Sequence, residues 1–154
     1  MENQPAGWLI LHTEGKETAS YELHTGKNRI GRIATANNPD IPVADDMFVS
    51  RNHAVLVVRV NDRYQYEYLL ADNAEVQGKP SMNGTYINGD TTRLGDKYVF
   101  LHDGDTIQVG VTKFVLKTAE VAITVDDAVK LTQKLGYTET VDVSKPGVVL
   151  RKRV

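Results

Sequence analysis

An all-β sandwich is the fold class that this sequence predicts, and three observations predict it. Val, Ile and Thr supply 40 of the 154 residues, and β-branched side chains, stiff at χ1, suit a pleated surface better than a helix. Short runs of strand character recur at residues 8–12, 19–23, 29–33, 54–60, 64–70, 97–101, 106–109 and 113–117, the cadence of a sandwich. The punctuation between them is chemically specific, because Asn61-Asp62, Asn83-Gly84, Asn88-Gly89 and Asp103-Gly104 supply residues that tolerate positive φ where strands end.

Taken in order, the first three runs lead into a break. Residues 34–49, with Asn37-Asn38-Pro39 and Ala44-Asp45-Asp46, are polar and turn-rich around the brief Ile41-Pro42-Val43. The runs at 54–60 and 64–70 flank Asn61-Asp62, and residues 72–82 then form a long loop rich in Gly, Pro and Asn, of a length that is usually functional. Three more runs follow, at 97–101, 106–109 and 113–117. After Lys117 the pattern changes: Thr124-Val125-Asp126-Asp127 reads as a capped helix start, Ala128, Leu131, Thr132 and Leu135 follow at helical spacing, and Gly136 can stop the helix. Residues 138–154, ending Arg151-Lys152-Arg153, read as a flexible basic tail. The expected division is a domain over 1–118 and an extension over 119–154 carrying the short helix and the tail.

Composition narrows the function classes. A chain of 154 residues holds about one domain, and its 41 Leu, Ile, Val and Phe are enough for a real core. The formal charge of -2 supplies no basic field for duplex DNA or an anionic membrane, so any bound anion must be held locally. The absence of Cys excludes disulfides, thiolate zinc sites and a Cys nucleophile. No basic N-terminal segment precedes a long apolar one, and no run approaches the ~20 apolar residues of a membrane span. A soluble, cytoplasmic protein is the expectation.

Four separated blocks carry the functional signal. They are Ile30-Gly31-Arg32, Ser50-Arg51-Asn52-His53, Ser81-Met82-Asn83-Gly84-Thr85 with Asn88-Gly89, and L-H-D-G-D-T-I-Q-V-G over residues 101–110. Their order and spacing resemble the forkhead-associated (FHA) domain, a phosphothreonine-binding module, over residues 8–116. The resemblance implies an eleven-stranded β-sandwich with its recognition loops gathered at one end. It implies a noncatalytic adaptor in Ser/Thr kinase signalling that binds phosphothreonine segments of a kinase or its substrate. Arg32, Ser50 and Arg51 are then the residues that face the phosphate, and Ser81, Met82 and Asn83 belong to the second contact loop, where Asn83 clasps peptide main chain. His53 becomes a structural residue tying the loops together, and Gly31, Gly84, Thr85, Asn88 and Gly89 are structural as well.

The chemistry of these side chains makes the same case. A phosphate dianion offers strong acceptor oxygens and no donor, so its receptor needs convergent donors, of which the fixed fork of arginine is the best. An Asn amide carries both an acceptor and donors and can hold a peptide backbone. The Ser50 and His53 pair does not read as a hydrolase, because no G-x-S-x-G elbow or similar oxyanion device accompanies it. His12, His24 and His102 lack ligand spacing and read as ordinary surface or strand residues, so no metal and no other cofactor is expected.

Some features depart from the family pattern. Met82 stands where a small hydroxyl residue is common, and residues 73–80 look like an insertion beside the binding loops. Thr138 and Thr140, beside Glu139 and Asp142, are candidate phosphorylation sites through which the chain would associate with a second copy. Thr124 also has a ligand-like pattern, which a helix N-cap explains better. The competing function is a phosphate-independent assembly module on the same fold, using the sandwich edges or the helix. The presence of Arg32, Ser50, Arg51 and Asn83 together argues against it.

Overall fold

The computed structural model describes residues 4–33, 39–72, 80–120 and 124–132. In chain order the strands are β1 (Gly7–Leu11), β2 (Ala19–Leu23), β3 (Gly26–Arg32), β4 (Ile41–Val43), β5 (Ala54–Val60), β6 (Tyr66–Asp72), β7 (Thr85–Ile87), β8 (Val99–Leu101), β9 (Thr106–Val109) and β10 (Thr112–Thr118), followed by helix α1 (Val125–Thr132). One sheet has the order β2-β1-β10-β9-β7 and the other β4-β3-β5-β6-β8. Among the described residues, only the β3–β4 pairing is parallel. The architecture is the expected all-β sandwich with a short helix, built from ten strands among the described residues rather than eleven.

Alternation places the core. Leu56 and Val58 of β5, Tyr68 and Leu70 of β6, and Phe114 and Leu116 of β10 point between the sheets and are almost wholly buried. Strand β1 is buried on both faces: Leu9 enters that core, while Trp8 and Ile10 pack on its other side against Ala128 of α1. The helix is capped as its sequence suggests, with Thr124 Oγ1 accepting from Asp127 N at 3.2 Å. Asp126 and Asp127 in its first turn and Lys130 in its last complement the helix dipole. His12 differs from its sequence reading. It is 1% exposed, and its Nε2 lies 2.8 Å from Thr132 Oγ1, joining the end of β1 to the last turn of α1.

Two strands, β4 and β7, fall outside the eight strand runs read from the sequence. β4 is interrupted by Pro42 and flanked by turn-rich sequence, and β7 lies between the turn pairs Asn83-Gly84 and Asn88-Gly89, so no strand run stands out at either. Pro42 is accommodated because β4 is an edge strand, where a missing N–H costs nothing. The register Ile30↔Ala54↔Asp72 aligns the end of β3, the start of β5 and the end of β6. The loops leaving these strands therefore meet at one end of the sandwich. Residues 73–79 of the expected insertion, Gly136, and the tail with Thr138 and Thr140 lie outside the described residues.

Candidate functional site

Two loops build the site on the end of β3. The first, residues 44–53, leads from β4 to β5, and its entry is pinned by a buried carboxylate. Asp46 accepts from Phe48 N at 3.0 Å, from Val111 N at 2.9 Å and from Thr112 Oγ1 at 2.7 Å. The following Val49 is 1% exposed and anchors the loop in the core. The chain then passes directly over β3: Arg32 N donates to Ser50 O at 3.0 Å, and His53 N donates to Ile30 O at 3.0 Å. This close passage explains Gly31, because a Cβ there would sit 1.8 Å from the Arg51 carbonyl oxygen.

The second loop, residues 80–84, rests on Asp72 at the end of β6. This carboxylate, 1% exposed, accepts from Ser81 N at 2.8 Å, Ser81 Oγ at 2.6 Å and Thr85 Oγ1 at 2.7 Å. Arg93 completes the arrangement, donating to Ser81 O at 2.6 Å and lying 3.7 Å from Asp72. Ser81 Oγ in turn accepts from Gly84 N at 3.0 Å. Gly84 has a φ of 88°, in the left-handed region that favours glycine. Asn88 and Gly89 also have positive φ, and they form the tight turn that ends β7. Asn88 Oδ1 accepts from Thr106 N at 2.8 Å, securing that turn to β9.

Three hydrogen bonds cross between the loops. Met82 N donates to Ser50 Oγ at 3.0 Å, Asn83 Nδ2 donates to Phe48 O at 2.8 Å, and His53 Nε2 donates to Gly84 O at 2.8 Å. The Nδ1 of His53 accepts from Ser50 N at 2.9 Å, which defines a neutral ring protonated at Nε2. Burial holds this imidazole below its usual range, against the opposing pull of the Gly84 carbonyl and of the Asp72 and Asp46 charges. Neither ring nitrogen is directed at Ser50 Oγ, so the pair has no general-base geometry.

An open cleft of about 220 Å³ lies across the two loops, lined by Arg32, Met47, Phe48, Val49, Ser50, Arg51, Met82 and Asn83. Five of the six residues assigned to ligand contact from the sequence line it together. Ser81 does not: it is 3% exposed and its hydroxyl is committed to Asp72 and Gly84 N, which corrects its reading as a contact residue. Met47 and Phe48 line the cleft without having been singled out in the sequence, as apolar residues in a stretch that reads as polar loop. Asp46, Asp72 and Arg93 were missed because their partners are remote in sequence. Among the described residues, no group of three or more His, Asp or Glu is placed to hold a metal ion, and no helix is long and apolar enough to cross a membrane.

The FHA domain family model matches residues 28–110. No curated protein sequence matches the chain. Among solved structures, one from a structural and functional analysis of phosphothreonine-dependent FHA domain interactions is 26% identical with a TM-score of 0.51, over 73% of this chain and 96% of that one. The Slr1951 protein from Synechocystis sp. is 28% identical with a TM-score of 0.56, over 72% and 96% of the two chains. Mycobacterium tuberculosis EmbR, in complex with a low-affinity phosphopeptide, is 26% identical with a TM-score of 0.51, over 73% of this chain and 24% of that chain.

Proposed function

The chain belongs to the FHA domain family, and from that premise we propose that it is a noncatalytic adaptor that binds phosphothreonine peptides in the cleft between the 44–53 and 80–84 loops. The observation that carries this reading is the convergence of Arg32, Ser50, Arg51 and Asn83, which come from three separate sequence blocks, on one cleft. Arg32 and Arg51 supply the charge-assisted donors for the phosphate, and the Ser50 hydroxyl adds another. Each such bond contributes about 1.5–3 kcal/mol, enough for a few of them to make binding depend on the phosphate. Asn83 turns its NH2 to Phe48 O, so its carbonyl oxygen is the atom it offers to a peptide N–H.

In this reading Ser81, His53 and Gly31 act by fixing the loops rather than by touching the peptide. The committed ring nitrogens of His53 support a noncatalytic role. A threonine-directed kinase makes the ligand, which connects the adaptor to Ser/Thr kinase signalling. The site lies within residues 1–118, and residues 119–154 are an extension to that domain.

Titration with a matched set of peptides tests the proposal. A phosphothreonine peptide binds, its phosphoserine counterpart binds several-fold more weakly, and the unphosphorylated peptide does not bind. A buried methyl group is worth about 0.8 kcal/mol, or fourfold, which sets the smallest threonine preference expected. Equal binding of phosphorylated and unphosphorylated peptides would overturn the proposal and favour an assembly module.

A further inference from the structure

We infer that Arg93 is a positioning residue for the phosphopeptide site: its guanidinium, seated between the Ser81 carbonyl and the Asp72 carboxylate, holds the 80–84 loop and offsets the buried negative charge beside the His53 ring. The inference deepens the phosphopeptide reading above and rests on it. Arg93 comes from the segment between β7 and β8 and is not among the residues that line the cleft, so it acts through its neighbours and not on the ligand. Its Nη2 donates to Ser81 O at 2.6 Å and lies 3.7 Å from Asp72 Oδ2, the oxygen that also accepts from Ser81 N. The stem of this side chain starts from fixed backbone, because Leu94 N donates to Thr85 O at 2.8 Å and Asp72 N donates to Gly95 O at 3.0 Å.

Position is one part of the role. Ser81 leads directly into Met82 and Asn83, which make the bonds to Ser50 Oγ and Phe48 O that join the two loops. Charge is the other part. Asp72 and Asp46 are both buried, and both favour a proton on His53, as does the Gly84 carbonyl that accepts from its Nε2. Burial of the ring opposes that proton most strongly, and Arg93 is the cation that adds to the opposition. Charges set into a protein in this way are screened by salt far less than those on its surface.

The site needs the neutral ring, because Nδ1 must carry no hydrogen if it is to accept from Ser50 N. Without Arg93, the donors that remain on the Asp72 carboxylate are Ser81 N, Ser81 Oγ and Thr85 Oγ1, all of them neutral. The pull of Asp72 on the ring is then opposed less, and the ring takes up a proton at a higher pH than before. Ser50 loses its tether to His53 over that pH range, although it lies in the other loop. Lysine carries the same charge as arginine without the planar fork, so it separates charge from shape at this position.

The test compares the full chain with Arg93→Gln and Arg93→Lys. The Arg93 side chain is 40% exposed, so both variants are expected to keep the fold, which thermal melts verify. Nuclear magnetic resonance follows the His53 ring in the free protein, and calorimetry measures one phosphothreonine peptide between about pH 5 and pH 8. In Arg93→Gln the His53 midpoint rises, and the acid-side loss of affinity moves to higher pH, giving roughly threefold to tenfold weaker binding than wild type near pH 6 and a smaller difference near pH 8. The phosphate titrates with a pKa of about 6, but it does so equally in each comparison because the peptide is the same. Arg93→Lys returns the midpoint and the pH profile toward wild type. An unmoved His53 midpoint in Arg93→Gln, an equal loss of affinity at every pH, or no recovery in Arg93→Lys overturns the inference and leaves phosphopeptide binding standing. An Arg93→Gln chain that unfolds while Arg93→Lys stays folded overturns it as well, in favour of an ion pair that serves stability alone. A wild-type chain that binds no phosphothreonine peptide overturns both the phosphopeptide reading and this inference.

Discussion

Both nitrogens of the buried His53 ring are in use, one accepting from Ser50 N and the other donating to Gly84 O. Protonation would place a hydrogen on Nδ1, facing the Ser50 N–H, and would break the link that orders Ser50. The folded ring titrates below the unfolded value of 6.5. Between those two values the unfolded chain binds more protons, so stability is complete above about pH 6.5 and falls as the pH drops toward the folded value. His12 is shifted in the same direction by burial and adds to the slope. Thermal melts without ligand isolate the effect from the phosphate, whose second pKa is about 6. In His12→Gln the melting temperature is expected to be lower at pH 5 than at pH 7.5, and an unchanged value would contradict the His53 assignment. At this scale Arg32, Arg51 and Asn83 were legible because each has a side chain suited to its proposed task. Met47 and Phe48 were not, since their exposure beside the arginines follows from the fold and not from any local pattern.

The elements that matter most are the two loops, and each is organised by a buried aspartate. Asp46 ties the 44–53 loop to the β9–β10 turn, and Asp72 ties the 80–84 loop to the end of β6. An amide in place of Asp72 would turn an NH2 group toward hydroxyl and amide donors. Asp72→Asn is therefore expected to destabilise the fold by about 2–4 kcal/mol, and to weaken phosphopeptide binding by loosening Met82 and Asn83. Urea unfolding measures the first effect, and a loss under about 0.5 kcal/mol would show that the network is not strained by the change. Strand legibility did not follow length alone, since the three-residue β8 lies within the run read at 97–101. The seven-residue β5 was found with its ends intact, whereas β4 and β7 were missed because their pairing is imposed by neighbours. The turn at Asn88-Gly89 was correctly read as a turn, yet it ends a strand that pairs with β9 and forms no hairpin with the strand that follows in sequence.

Over the whole molecule, the sandwich works as a rigid support that brings separated sequence blocks to one end, with α1 packed against the far face of β1. The all-β class and the short helix α1 were legible from composition, turn chemistry and capping. The burial of β1 on both faces and the His12 to Thr132 bond depend on tertiary packing and were not. The central claim is that the cleft holds a phosphate through Arg32. Calorimetric titration of one phosphothreonine peptide against wild type and Arg32→Ala tests it most directly. Arg32 is exposed, so the variant should unfold within about 1 kcal/mol of wild type. Loss of two charge-assisted bonds should weaken binding by two orders of magnitude or more, about 3 kcal/mol. A folded Arg32→Ala protein that keeps wild-type affinity would contradict the account.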